Sequence, residues 1–149
     1  MDLTLKESTW LSLSAKERRD RLLELEATCQ QFPQEQHEVI EPTHYHCDGV
    51  YAREITIPKG TVLVGEIHLK DQINVVSQGK IRVATEEGVK EIEAPCTFIS
   101  PAGTKRAGYA LEDTVWTVFH ATQSTDHQDI REEFIAKDYK HLDKQLEVK

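Results

Sequence analysis

The sequence contains few cysteines, which argues against a disulfide framework and against a cysteine-based zinc site. The three that occur, Cys29, Cys47 and Cys96, are widely spaced and form no C-x-x-C pair. An odd number of scattered cysteines is typical of reduced thiols. We therefore expect an intracellular protein in which none of the three has a role.

Long apolar runs and an excess of basic residues are also missing. No stretch approaches the roughly 18 apolar residues of a membrane helix, and the start MDLTLKE lacks the basic and apolar regions of a signal peptide. The formal net charge is −8, from 18 Lys and Arg against 26 Asp and Glu. This balance opposes binding to a phosphate backbone. The sequence thus predicts a soluble, cytoplasmic protein that binds neither nucleic acid nor a membrane.

Common catalytic signatures are absent as well. The chain has no G-x-S-x-G elbow, no Walker-type glycine run and no H-E-x-x-H pair. No nucleophile arrangement and no phosphate-binding loop therefore stands out. Enzyme classes that depend on these signatures are excluded.

What the sequence does contain begins with a helix signal near the N-terminus. Ser14 and Glu17 have capping-box spacing, and apolar residues then recur at helical intervals until Phe32-Pro33, which predicts an amphipathic helix over residues 14–31. Apolar residues also precede it, namely Leu3, Leu5, Trp10, Leu11 and Leu13. They form either a strap that lies across a sheet of the same chain or an arm that grips a neighbouring subunit. We expect a homodimer or higher oligomer formed through this arm.

From Val39 onward the hydrophobic period changes to two, and turn residues recur every eight to twelve positions. This pattern predicts a sandwich or barrel, then a short closing helix after Asp126 and a polar tail at 138–149. The predicted strands are 39–46, 50–57, 61–68, 73–78, 80–85, 88–94, 97–100, 105–110 and 114–121. The expected segments are an arm and helix at 1–37, one barrel at 38–122, and a C-terminal helix and tail at 123–149.

The polar residues between Gly60 and Gly79 have the spacing of a known motif. The run reads Gly60, five residues, Glu66, one residue, His68, three residues, Gln72, six residues, Gly79. It resembles the first motif of the cupin superfamily, G-x5-H-x-H-x3-4-E-x6-G. Glu66 replaces the first histidine and Gln72 replaces the glutamate. The resemblance implies a mainly β fold, a small double-sheet jelly-roll barrel with a polar cluster inside it.

A later stretch resembles the second cupin motif, G-x5-P-x-G-x2-H-x3-N. Pro101-Ala102-Gly103 supplies its P-x-G turn, and Arg106 stands at the histidine position. The blocks at 49–61 and 101–110 also resemble small cupins encoded in tailed-bacteriophage genomes. The resemblance implies four metal-ligand positions, held here by Glu66, His68, Gln72 and Arg106.

This set is poor for a metal. Glu66 and His68 are competent ligands, whereas Gln72 offers a weak neutral carbonyl and Arg106 is a permanent cation without a lone pair. We therefore expect no cofactor. His120 is either a core histidine bonded to a backbone carbonyl or an additional ligand inside the barrel. The alternative to a metal-free barrel is thus a divalent Fe, Mn, Ni or Zn held by Glu66, His68 and His120.

Arg106 has two interpretations. It pairs with Glu66 across the barrel as an internal salt bridge, or, with Lys105 at the rim, it anchors an anionic small molecule through its planar guanidinium. Tyr109 and Trp116 either line the mouth of a pocket or fill the core. The sequence leaves these alternatives open.

The His44-Tyr45-His46 triplet places two imidazoles on one face of a predicted strand. Such a pair is able to bind a metal, but no third ligand lies nearby in the sequence. We interpret the triplet as an exposed strand end.

The sequence therefore predicts a noncatalytic cupin-fold protein that binds a small anionic ligand or a protein partner. It would act as a phage accessory or virion component, in the host cytoplasm or the virion. The candidate pocket residues are Glu66, His68, Gln72, Arg106, Tyr109, Trp116 and His120. The alternative is a metal-dependent enzyme of the isomerase, lyase or dioxygenase type that acts on a small anionic metabolite such as a sugar acid.

Overall fold

A computed structural model describes residues 7–31 and 40–147. These ranges contain strands in the middle and helices toward both ends. The helices are α1 (Glu7–Leu11), α2 (Ala15–Gln30), α3 (His127–Phe134) and α4 (Tyr139–Glu147). The strands are β1 (Thr43–Cys47), β2 (Val50–Ile57), β3 (Val62–Val64), β4 (Ile67–His68), β5 (Gln72–Gln78), β6 (Lys80–Thr85), β7 (Gly88–Glu93), β8 (Cys96–Ser100), β9 (Ala107–Ala110), β10 (Thr114–Ala121) and β11 (Ile135–Ala136).

Two antiparallel sheets enclose the core. One has the order β1-β2-β10-β5-β8, the other has the order β3-β9-β6-β7, and β4 pairs separately with β11. Side chains alternate between the two faces of a strand, so on β5 Gln72, Asn74 and Val76 are buried while Ile73 is exposed. The inward apolar side chains form one cluster, which comprises Ile57, Val76, Ile81, Val83, Ile92, Ala110 and Trp116. The predicted double-sheet architecture is confirmed.

The predicted strand over residues 61–68 is wrong as one continuous element. The backbone leaves the first pairing at Gly65 and Glu66, so that β3 pairs with β9 and β4 pairs with β11. The Gly65 amide donates a 2.8 Å hydrogen bond to the carbonyl of Arg106 at this break. Glu66 therefore lies on a connection between two short strands rather than on a regular sheet face.

The turn between β5 and β6 requires a glycine. Gly79 has a φ of +90°, a conformation that other residues rarely adopt. A Cβ at this position would lie 2.2 Å from the carbonyl oxygen of Asp113. The last glycine of the first motif thus permits close packing between this turn and the start of β10.

The N-terminal helices pack on the barrel of their own chain. Helix α2 begins with the predicted capping box, and its Leu22 is fully buried. Trp10 is 1% exposed, and its Nε1 donates a 2.6 Å hydrogen bond to the carbonyl of Thr85 on β6. These contacts are those of a strap across the barrel. Leu3 and Leu5 lie outside the described residues, and self-association through the arm stays a prediction.

The C-terminal segment differs from the predicted polar tail. Helix α3 forms where the sequence predicts a short closing helix, but the chain then continues into a further helix, α4. Leu142 of α4 is 1% exposed and packs against Ile67, Leu69 and Ala136. The tail prediction fails because one buried leucine among charged residues is too weak a periodic signal. Residues 148 and 149 lie outside the described residues.

Two expectations from composition concern the helices and the thiols. No helix in residues 7–31 and 40–147 is both long enough and apolar enough to cross a membrane. Cys29, Cys47 and Cys96 are all free.

Candidate functional site

A cavity of about 700 Å³ lies between the two sheets. Much of its wall is apolar and comes from β2, β3, β6 and β10, including Ile55, Leu63, Ile81 and Val118. The charged residues of the described ranges that line it are Glu26, Arg53, Glu66, Arg106 and Arg131. A largely apolar cavity with a few polar groups is the usual form of a small-molecule site.

Arg106 reaches from the edge of β9 toward the opposite sheet. Its Nη1 donates a hydrogen bond to Ser100 Oγ, and its Nη2 donates one of 3.2 Å to Asn74 Oδ1. The guanidinium lies 5.0 Å from the centre of the Trp116 ring. Trp116 Nε1 donates to the same Asn74 oxygen at 3.0 Å. These neutral groups orient the arginine without neutralising its charge.

The charge of Arg106 forms no salt bridge with any described residue. Burial lowers the pKa of Arg106 to about 10. Glu66 instead accepts hydrogen bonds from both terminal nitrogens of Arg131 on α3, with Nη1 3.0 Å from Oε2. The internal salt bridge between Glu66 and Arg106 is therefore a wrong interpretation, because the connection that carries Glu66 lies beside α3.

His68 and His120 lie next to each other, with ring centres 6.2 Å apart. Burial, reinforced by the positive charge of Arg106, lowers the pKa of His68 to about 4. Burial, reinforced by Arg53, lowers the pKa of His120 to about 4. Both imidazoles are therefore neutral at pH 7. Neither Nδ1 atom has a hydrogen-bond partner within the described ranges.

Three of the predicted pocket residues, Gln72, Tyr109 and His120, are not among those that line the cavity. Gln72 is buried, and its side-chain amide has no hydrogen-bond partner in the described part of the chain. Tyr109 packs instead under the N-terminal helices, against the buried cluster that contains Trp10 and Leu22. Strand alternation is the reason, since Gly108 faces the cavity and Tyr109 therefore faces away.

The residues at the four motif positions do not fit a metal ion. Glu66 is engaged by Arg131, Gln72 is neutral, and the Arg106 cation at the fourth position repels a metal. No group of three or more His, Cys, Asp or Glu side chains in residues 7–31 and 40–147 is arranged to hold one. The alternative set of Glu66, His68 and His120 is thus not gathered around one point.

Sequence reasoning misses two arginines of the cavity. Arg53 on β2 lies two residues before Ile55, and both line the cavity. Strand alternation is the signal that would have placed Arg53 there. Arg131 has no such signal, because it meets Glu66 across 65 residues of sequence.

Four rings meet where β1, β2 and α3 come together, and we call them the mouth cluster: His44, His46, Tyr51 and His127. Nε2 of His46 is 3.2 Å from Nε2 of His127, and Nδ1 of His44 is 2.6 Å from the Tyr51 hydroxyl. The rings of His44 and His127 stack with their centres 3.9 Å apart. The histidine triplet is thus a strand end that meets a third histidine, from a position too distant in sequence to anticipate.

Comparison with known proteins identifies the fold but no close relative. No protein-family model and no curated protein sequence matches the chain. KdgF from Halomonas sp. is 22% identical with a TM-score of 0.50, over 65% of this chain and 97% of that one. A cupin superfamily protein from Desulfitobacterium hafniense is 11% identical with a TM-score of 0.49, over 58% and 80%. An acetylacetone dioxygenase from Acinetobacter johnsonii is 16% identical with a TM-score of 0.49, over 60% and 65%.

The chain therefore has a mainly β, double-sheet cupin-like fold with N-terminal helices and short C-terminal helices. At these identities the likeness concerns the fold alone. Cupin folds, like other common folds, carry function in their sites rather than in their architecture.

Proposed function

We propose that the protein is a noncatalytic cupin-fold binding protein whose cavity holds a small anionic molecule such as a carboxylate. One observation carries this proposal: the hydrogen bonds of the half-buried Arg106 go to the neutral side chains of Ser100 and Asn74. Burying a charge is costly unless the charge is paired. A bound carboxylate supplies the missing partner.

The other charges leave the cavity electropositive. Glu26 pairs with Lys105 at 2.6 Å, and Glu66 pairs with Arg131. Arg106 and Arg53 form no salt bridge within residues 7–31 and 40–147. Although the whole chain has a net charge of −8, a locally positive cavity with apolar walls attracts anions.

The geometry around Arg106 suits a carboxylate with a polar substituent. A guanidinium recognises the two oxygens of a carboxylate through parallel hydrogen bonds. The neutral imidazole of His68, which also lines the cavity, is able to donate to or accept from a hydroxyl group. The apolar wall would cover the rest of the ligand.

The enzyme alternative depends on a metal at Glu66, His68 and His120, and these residues do not fit one. We therefore favour binding without catalysis. A protein partner and a role as a phage accessory or virion component stay predictions from the sequence.

The proposal is tested by thermal unfolding in the presence of small carboxylates. Sodium acetate, succinate, gluconate and galacturonate are compared with NaCl at equal ionic strength and with glucose as a neutral control. A ligand at 100 times its Kd stabilises by about 2.7 kcal/mol, which raises Tm by roughly 5–10 °C for a chain of this size. The shift should disappear in Arg106→Met.

The matched control is Arg21→Met, which removes the same charge from an exposed position on α2. It should retain the full shift. A carboxylate response that survives Arg106→Met, or the lack of any response beyond that of NaCl, would refute the proposed function.

A further inference from the structure

The mouth cluster presents two imidazole nitrogens to each other at short range. Nε2 of His46 and Nε2 of His127 are 3.2 Å apart, and both side chains are exposed to solvent. His44 is already engaged through Nδ1 with the Tyr51 hydroxyl. The facing pair therefore consists of His46 and His127.

Both histidines are held by regular structure. His46 lies on β1 directly opposite Tyr51 of β2, and the two rings stack with centres 5.0 Å apart. His127 is the first residue of α3, where Asp126 caps the helix by accepting a 3.0 Å hydrogen bond from the Asp129 amide. The 3.2 Å separation is thus set by a strand pairing and a capped helix.

We propose that His46 and His127 bind one divalent transition-metal ion, of the Zn²⁺, Ni²⁺ or Cu²⁺ class, between their Nε2 atoms. Two imidazoles at about 2.0–2.1 Å from a tetrahedral ion place their nitrogens roughly 3.3–3.4 Å apart, close to the observed distance. Imidazole is a preferred ligand for these metals. Water completes the coordination, since the site faces solvent.

This site differs from the barrel positions that the cupin resemblance implies. It uses none of Glu66, His68, Gln72 and Arg106, and it lies at the outer edge of the cavity rather than inside it. The partial positive charge at the start of α3 opposes a cation, and the Asp126 carboxylate at the same helix end offsets it. The site is independent of anion binding by Arg106.

Isothermal titration with ZnCl₂, NiCl₂, CuCl₂ and MgCl₂ in a non-coordinating buffer tests the proposal. The wild-type chain should bind one equivalent of each transition metal, with Cu²⁺ the tightest, and no Mg²⁺. His46→Ala and His127→Ala should each weaken Zn²⁺ binding by at least about tenfold, because each removes one of two protein ligands. His127→Gln serves if the alanine variant perturbs the start of α3, and circular dichroism confirms folding.

Two control variants separate this site from other donors. His141→Ala removes a histidine outside the mouth cluster, and Cys47→Ser removes the exposed thiol next to His46; both should bind Zn²⁺ as the wild type does. Absence of Zn²⁺ binding in the wild type would show that the pair shares only an N–H···N hydrogen bond. Unchanged binding in His46→Ala or His127→Ala, or loss in Cys47→Ser or His141→Ala, would equally overturn the assignment.

Discussion

Replacement of Arg106 by methionine in the ligand-free protein should change the free energy of unfolding by no more than about 2 kcal/mol, in either direction. Two opposing terms produce this result. Burial lowers the pKa of Arg106 from its ordinary value of 12.5 to about 10. At roughly 1.4 kcal/mol per pKa unit, this difference corresponds to about 3 kcal/mol of unfavourable burial, which the substitution relieves. The substitution also removes the hydrogen bonds to Ser100 and Asn74. Each of these bonds contributes to stability toward the lower end of about 1.5–3 kcal/mol, so their loss offsets the relief of burial.

The neighbours of Arg106 remain satisfied after the substitution. Asn74 Oδ1 still accepts from Trp116 Nε1, and Ser100 Oγ still accepts from Asn74 Nδ2 at 2.9 Å. The thioether of methionine retains a favourable contact with the Trp116 ring. No buried polar group therefore adds a further penalty.

Urea unfolding followed by far-ultraviolet circular dichroism measures the change, because Trp116 touches the substituted side chain and its fluorescence is not a neutral probe. The double variant Arg106→Met with Glu66→Gln provides the control. The changes in the free energy of unfolding caused by the two single substitutions should add within about 0.5 kcal/mol if the residues do not interact. A loss above about 3 kcal/mol for Arg106→Met, partly rescued by Glu66→Gln, is the signature of a broken buried ion pair and would refute the reasoning.

Two further predictions concern packing and pH. Trp10→Ala should destabilise the chain by about 3–5 kcal/mol in urea unfolding, because the ring is 1% exposed; a loss below about 1 kcal/mol would show that the strap does not pack on the barrel. The pKa of His68 is about 4, below the value near 6.5 of an exposed histidine, so the unfolded chain binds more protons between these values. Stability should therefore fall as the pH is lowered from about 6.5 to 4, and His68→Gln should flatten this part of the measured stability curve, whereas an unchanged slope would contradict the assignment.

The sheets follow from the sequence because strand periodicity is a local property. Alternation correctly predicts that Gln72, Asn74 and Val76 of β5 share one face and that Trp116 and Val118 of β10 share another. The break at Gly65 is not predictable in this way. It depends on a hydrogen bond to Arg106, about forty residues away in sequence.

The candidate site is predictable only where a motif marks it. The P-x-G turn correctly directs attention to Arg106, which lines the cavity. The partner of Glu66 is not predictable, because Arg131 lies on a helix whose docking is a tertiary event. Tyr109 has two interpretations from the sequence, pocket mouth or core, and it packs in the core. Strand alternation from Gly108, which lines the cavity, is the signal that favours the core.

Glu26 connects the N-terminal helix to the cavity. It belongs to α2, lines the cavity, and pairs with Lys105, whose side chain is 4% exposed. If α2 detached, a buried ammonium group would lose its partner, and the cavity would lose the one lining side chain that α2 contributes. A molecule that fills the cavity thus binds preferentially to the form of the protein in which α2 is docked. Its binding therefore shifts the docking equilibrium of α2 toward the docked state. Slower hydrogen exchange of the α2 amides would then report that a ligand occupies the cavity, although Glu26 is the only α2 side chain that reaches it.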